Sequence, residues 1–298
     1  MSTIVKGQII AAFGRQYLAR LPDSSEIICL TRGKKSEVVC GDMVEIKLTG
    51  DASTENGTGA QGVIERIAPR RSLLHRSDAF REKLIAANVT QIIVVVAAEP
   101  SFSDELLARC LVAAYDQKLD VLIVLNKCDL SEAAAAARKR LIPYTTIGYR
   151  VLELSAKQDV SLLRPFLAGH TSVLVGQSGM GKSTLINALL PEAKAATREI
   201  SSALDSGKHT TTHARLYRLD DHSSLIDCPG VQAFGLHHLS FGGIEQGFVE
   251  FAPYLSQCRF HDCHHLHEPG CALQEAVSAG KIDARRLELF QQISQAGH

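Results

Sequence analysis

The sequence predicts a multidomain α/β protein, with a small β-barrel at the N-terminus, a central α/β domain and a short helical tail. Three observations predict it. Residues 4–67 carry short alternating apolar runs, and residues 171–190 read as strand, glycine loop and helix in succession. Residues 258–271 crowd three cysteines and four histidines into fourteen positions. At 298 residues the chain can hold two domains with cores of their own plus an appendage. The divisions expected are 1–70, 71–240 and 241–298.

The barrel rests on IVKGQIIAA (4–12), SEIICLT (25–31), MVEIKLT (43–49) and QGVIERI (61–67). Turn-rich stretches such as GDASTENGTGAQG (50–62) separate them, the pattern of a small barrel or sandwich. Residues 1–81 hold 12 Lys and Arg against 9 Asp and Glu, a small surplus on a chain whose formal net charge is zero. Arg70, Arg71, Arg76 and Arg81 cluster at the barrel exit. They suit either contact with a polyanion or a solvated basic linker.

In the central domain, the apolar run VLIVL (121–125) leads straight into Asn126-Lys127-Cys128-Asp129. An aspartate so placed accepts hydrogen bonds from both the ring N1–H and the 2-amino group of guanine. Adenine has no such pair of donors, so the site should reject ATP. SEAAAAARKR (131–140) reads as an ordinary surface helix capped by Ser131. RVLEL (150–154) then delivers Ser155-Ala156-Lys157, whose backbone N–H groups would face the guanine oxygen.

TSVLV (171–175) precedes Gly176-Gln177-Ser178-Gly179-Met180-Gly181-Lys182-Ser183, and TLINALL follows from Thr184 at helical spacing. Such an octet arises by chance in roughly 1% of chains this long at average composition. Its N–H groups cradle phosphates at a helix N-terminus, with Lys182 on the β/γ-phosphates and Ser183 on Mg²⁺. GKHTTTH (207–213) offers Thr210, Thr211 and Thr212, of which Thr211 is the candidate to complete the Mg²⁺ shell. SLIDCPG (224–230) ends in Asp227, available to Mg²⁺, and Gly230, available to the γ-phosphate. These parts together form a site for GTP and Mg²⁺.

Their order along the chain is a circular permutation of the usual GTPase order. The segment after Asp227 therefore leads directly into the tail, which invites mechanical coupling. Val231 stands where many GTPases carry a water-orienting glutamine, so unassisted hydrolysis should be slow. His209 is the candidate for orienting the water, its alternative being an ordinary solvent-facing loop residue. Gln232 is out of register, and Arg198 is a weaker candidate for an internal arginine finger.

CRFHDCHHLHEPGC (258–271) offers Cys258, Cys263, Cys271 and a histidine to one tetrahedral Zn²⁺, with no open position, which argues for a structural metal. On chemistry alone His261, His264 and His267 compete with His265. Cys29, Cys40, Cys110 and Cys128 are scattered, as reduced thiols are; Cys29 and Cys40 could face each other across strands, with packing the better reading.

The chain resembles the ribosome small-subunit-dependent GTPase A family of circularly permuted bacterial GTPases. The resemblance rests on the motif order, SDAFREKLIAANV (77–89), HTTT (209–212), DCPGVQAFGL (227–236) and the cysteine segment with its EPGC (268–271), and it covers nearly the whole chain. It implies an N-terminal oligonucleotide-binding barrel, a permuted GTPase domain and a zinc-binding helical tail whose ligands are Cys258, Cys263, His265 and Cys271. It also implies a switch that binds the small ribosomal subunit and its rRNA in the GTP form, acts in late maturation and leaves as GDP forms. The alternative is an RNA-binding module whose GTPase fold is scaffold; it requires subunit binding that ignores nucleotide state. Without a leader or a membrane-length apolar run, a soluble, cytoplasmic monomer with no membrane partner is expected.

Overall fold

A computed structural model describes residues 3–32, 37–49, 61–78, 81–190, 214–228 and 234–296, the side chains of Gln61 and of 76–83 excepted. His209, Thr211, Gly230, Val231, Gln232 and Arg198 lie outside these residues.

Strands β1 (Ile4–Phe13), β2 (Gln16–Arg20), β3 (Glu26–Thr31), β4 (Met43–Leu48) and β5 (Gln61–Ile67) form the barrel. They run β1-β2-β3-β5-β4 and close through β1–β4, with β3 and β5 parallel, the strand order of an oligonucleotide-binding barrel. Alternation sends Ile9, Tyr17, Ile27, Cys29, Val44, Ile46 and Ile64 inward as a separate core. β2 was not among the four strands read from the sequence. Its five residues follow β1 after only Gly14 and Arg15, so the two strands blur into one alternating run.

A hairpin of β6 (Leu73–Asp78) and β7 (Arg81–Ala87) leads to β8 (Gln91–Ala97), buried along its whole length. The central sheet continues with β9 (Asp120–Asn126), β10 (Arg150–Glu153), β11 (Thr171–Val175), β12 (Arg215–Arg218) and β13 (Ser224–Asp227). Its order is β10-β9-β8-β11-β13-β12, all parallel except β12. Near-continuous Val, Ile and Leu in β8, β9 and β11 is what burial of both faces demands. β12 also pairs with β1 at Ala11 and Arg215, so sheet and barrel are continuous.

Helix α1 (Asp104–Asp116) joins β8 to β9, and α2 (Ser131–Thr146) joins β9 to β10. The cap of α2 is Leu130, without a side-chain hydrogen bond; Ser131 is the first helical residue and not the cap expected of it. The short α3 (Arg164–Leu167) precedes β11, and α4 (Lys182–Leu189) follows the glycine loop. The tail comprises α5 (Phe241–Gln246), α6 (Ala272–Ser278) and α7 (Ala284–Gln295).

The tail is packed into the central domain's core. Phe248, Phe251 and Phe290 are fully buried in the same apolar cluster as β8 and α1. A Cβ on Gly247 would stand 2.9 Å from Val112 of α1, so only glycine permits this approach. Arg286, 2% exposed, pairs with Glu250 and lies 4.5 Å from the Phe248 ring centre and 5.2 Å from that of Tyr144 in α2.

Candidate functional site

Four of the expected segments meet at the carboxyl ends of parallel strands, where open α/β sheets place their ligands. Asn126 ends β9, Ser155 follows β10, the glycine loop follows β11, and Asp227 ends β13 opposite Leu174.

The glycine loop needs its glycines for room as well as for dihedral freedom. Gly176, Gly179 and Gly181 have φ of +148°, +82° and +92°. A Cβ on Gly176 would lie 2.2 Å from the Val95 carbonyl oxygen, and one on Gly181 would lie 2.2 Å from the Asn126 amide nitrogen. Ser178 and Gly179 face solvent, Met180 is buried beneath them, and Ser183 and Thr184 are exposed on the first turn of α4. The Lys182 ammonium turns back into the loop, donating to the Gly176 carbonyl and, at 2.8 Å, to that of Gln177. Burial lowers its pKa while Asp227 opposes the fall. Burial also raises the pKa of Asp227 against the pull of Lys182.

Asn126 is 1% exposed and both of its amide atoms are engaged. Its Nδ2 donates to the Met180 carbonyl at 2.9 Å, and its Oδ1 accepts from the Ala156 N–H at 2.9 Å. One side chain thus ties the Asn-Lys-Cys-Asp loop to the glycine loop and to the Ser-Ala-Lys loop. Lys127, at φ +62°, donates through Nζ to the Glu99 carbonyl at 2.7 Å. Asp129 is solvent-facing, and a hydrogen bond from the Ser155 side chain holds its carboxyl below the ordinary range, with Lys157 and Lys127 adding to the effect. An ionised, acceptor-only carboxylate is the group that reads two donors on one base edge.

Outside this cleft, Cys258, Cys263, His265 and Cys271 bring their donor atoms within 4.8 Å of one another. The His265 Nδ1 stands 3.6, 3.5 and 3.3 Å from the three sulfurs. A tetrahedral ion with Zn–S near 2.3 Å and Zn–N near 2.0 Å requires an N···S edge of roughly 3.5 Å. The donor set therefore fits one tetrahedral metal ion. His261, His264 and His267 are exposed, so geometry selects His265 from the four. Its Nε2 donates to the Glu245 carboxylate on α5 at 2.6 Å, which leaves Nδ1 with its lone pair toward the sulfurs. Glu245 lies far upstream of the cysteines and nothing in the sequence marked it. Glu268 accepts from the N–H groups of His264, Leu266 and His267 and fixes the turn between ligands.

Other residues singled out from sequence have structural partners. Arg70 grips the fully buried Asp42 through Nε at 2.7 Å and Nη2 at 2.8 Å, and also the Glu37 carbonyl, so its charge is engaged within the barrel. Arg71 is exposed. None of the eight cysteines is in a disulfide; Cys29 packs inside the barrel and Cys40 in the other core, which answers the question of their pairing in favour of packing. Among the described residues, no helix is long and apolar enough to cross a membrane.

Comparison with known proteins agrees with this geometry. The model of the RsgA GTPase family matches residues 67–237. The chain belongs to the RsgA GTPase family. A relative from Nitrosospira multiformis, named small ribosomal subunit biogenesis GTPase RsgA, is 54% identical over 97% of this chain and 90% of its own length. One of the same name from Burkholderia pseudomallei is 52% identical over 97% and 91%. Among solved structures, YjeQ from Thermotoga maritima is 28% identical with a TM-score of 0.72, covering 99% of both chains. YloQ, described as a circularly permuted GTPase, is 26% identical with a TM-score of 0.69 over 99% of this chain and 95% of that one. As a member of this family the protein is a GTP-hydrolysing enzyme of permuted order, and a GTPase implies Mg²⁺.

Proposed function

We propose that this GTPase is a switch in the biogenesis of the small ribosomal subunit, binding the subunit and its rRNA in the GTP state and leaving after hydrolysis. The observation that carries the reading is the Asn126 tie, which sets the Asn-Lys-Cys-Asp, Ser-Ala-Lys and glycine loops around one cleft in a chain whose relatives bear that name.

In this reading Asp129 recognises guanine, with Lys127, Ser155, Ala156 and Lys157 completing the base site around the brace of Asn126. Gly176 to Thr184 wrap the phosphates, and Lys182 leaves its loop carbonyls to neutralise them. Ser183, Asp227 and Thr211 hold Mg²⁺, which neutralises charge developing on the β- and γ-phosphate oxygens. Gly230 contacts the γ-phosphate. Valine at 231 has no polar atom to orient water, so the subunit completes the site, with His209 as the chain's own contribution. The tail's cluster takes Zn²⁺, since three thiolates and an imidazole at tetrahedral edges suit that ion and leave no place for substrate. Residues 1–70, 71–240 and 241–298 act as barrel, GTPase and zinc tail in a cytoplasmic monomer.

Steady-state hydrolysis of GTP and ATP, with and without purified small subunits at physiological salt, tests the proposal. GTP-selective turnover that rises by orders of magnitude with the subunit is expected. Turnover indifferent to the subunit overturns the ribosomal assignment while leaving the GTPase.

A further inference from the structure

The loop between β8 and α1, residues 98–103, touches both halves of the cleft although none of its residues belongs to a nucleotide motif. Lys127 donates to the Glu99 carbonyl at 2.7 Å, and the Ala98 N–H donates to the Asn126 carbonyl at 3.2 Å. On the other side, the Ser103 N–H donates to Oε1 of Gln177 at 2.7 Å, and a Cβ on Gly179 would stand 3.4 Å from Pro100.

What fixes this loop comes from α2. Arg140 donates through Nη1 to the Ser101 hydroxyl at 2.6 Å, and through Nη2 to the Phe102 carbonyl at 2.8 Å and the Asp104 carboxylate at 2.8 Å. Its guanidinium lies 4.0 Å from the centre of the Phe102 ring. The residues on either side of Ser103 are therefore held by one rigid fork. Two positions earlier on α2, Arg138 grips Glu153 at the end of β10, at 2.9 and 2.8 Å. A step of two residues turns a helix by roughly 200°, so the two arginines reach in opposite directions. α2 spreads and fixes the two loops that flank the Asn-Lys-Cys-Asp segment.

We propose that Arg140 is a positioning residue for the phosphate-binding loop, acting through Ser103 and Gln177 and setting how long guanine nucleotide stays bound without touching it. The proposal rests on the assignment of residues 176–183 to the phosphates. Releasing the fork frees residues 101–104; the Gln177 amide then has no fixed donor, and the ascending limb of the glycine loop loses its lateral support. Arg285 also approaches Asp104, but at 3.6 Å from an exposed position, and it touches neither Ser101 nor Phe102.

The test is dissociation of a fluorescent N-methylanthraniloyl GDP, with GTP affinity and steady-state kinetics, on the full chain. Arg140→Ala should speed dissociation by about tenfold, the size expected when a few charge-assisted hydrogen bonds to a loop are lost. It should raise KM and leave kcat at saturating GTP within about twofold. Gln177→Met, equal in length but without an acceptor, should do the same. The double variant should lose no more than the worse single, because both act on one link. Arg140→Lys should recover part of the effect, and Arg285→Ala should leave dissociation unchanged. Strictly additive effects, or unchanged dissociation in either single variant with the melting temperature preserved, overturn the proposal. Should Arg140→Ala fail to fold, Gln177→Met decides alone. If the unaltered protein failed to bind the GDP probe, it is the nucleotide assignment that would fall, a result distinct from any of these.

Discussion

The nucleotide cleft and the cysteine loop are both made of short turns, yet they are held together in different ways. The cleft draws on the ends of four strands far apart in sequence, and it is braced by hydrogen bonds that the side chains of Asn126 and Lys127 donate and that those of Asn126 and Gln177 accept. The cysteine loop takes its donors from residues 258–271, whose sulfurs and imidazole nitrogen lie within 4.8 Å of one another. A cleft braced by protein exists before its ligand arrives. A loop whose polar donors converge on an ion draws its stability from that ion.

Removing the metal should therefore produce the largest effect and a local one. Structural zinc in small sites is worth on the order of 10 kcal/mol, far more than this loop can replace by packing. Cys271→Ser, or treatment with a strong chelator, should abolish stoichiometric metal and strip hydrogen-exchange protection from residues 258–278. GDP binding should survive, since the bracing of the cleft involves none of the ligands. Parallel loss of GDP binding would erase the contrast between the regions and show that the core shared by Phe248, Phe290 and α1 transmits the damage.

Next in size are changes to the bracing and reading groups of the cleft. Asn126→Asp keeps the acceptor for the Ala156 N–H but puts an anionic oxygen against the Met180 carbonyl. The loss should be about 2–3 kcal/mol in GTP affinity by calorimetry, together with a lower melting temperature. Asp129→Asn should weaken GTP by at least about tenfold, the loss expected of the proposed base-reading carboxylate, while lowering the melting temperature far less than Asn126→Asp does, because Asp129 faces solvent and an amide oxygen still accepts from the Ser155 hydroxyl. Equal melting temperatures for the two variants would mean that Asn126 is no brace. Gly247→Ala tests the tail's docking on α1: overpacking against Val112 should cost roughly 1–3 kcal/mol of global stability, measured by denaturant unfolding.

The cleft was largely legible in the sequence because its motifs are short and each residue answers a local demand. Glycines stand where a Cβ would strike Val95 or Asn126, and the sheet gathers the motifs merely by ending its strands on one side. The tail's cysteines were legible as a set of metal donors, but four candidate histidines lie within seven residues, and only the fold shows which one turns inward to meet Glu245. Long-range partners left no trace. Residues 131–140 read as an ordinary surface helix, yet Arg140 and Arg138 reach from opposite sides of it to residues 101–104 and to Glu153. Arg70 looked like part of a basic patch until its partner Asp42, 28 residues earlier, proved fully buried. Such pairings depend on which loops the fold brings together, and residue type alone does not encode that.

The smallest effect sharpens the comparison by showing that the cleft's order has a cost. Burial raises the carboxyl pKa of Asp227 above the ordinary aspartate value, and Lys182 offsets only part of this. The folded protein therefore holds that proton more tightly than the unfolded chain. Stability falls as pH rises from 3.8 through the raised value, and the deficit persists at neutrality. Asp227→Asn removes the deficit with the Lys182 charge still in place. At neutral pH the nucleotide-free variant should melt higher than the unaltered protein, as scanning calorimetry would show. The advantage should vanish once the solution is more acidic than an ordinary carboxylate, and Mg²⁺-dependent hydrolysis should be lost throughout. A variant that melts lower at neutral pH would mean that Asp227 stabilises the empty cleft, which would then lean on charge pairing as much as on the Asn126 brace.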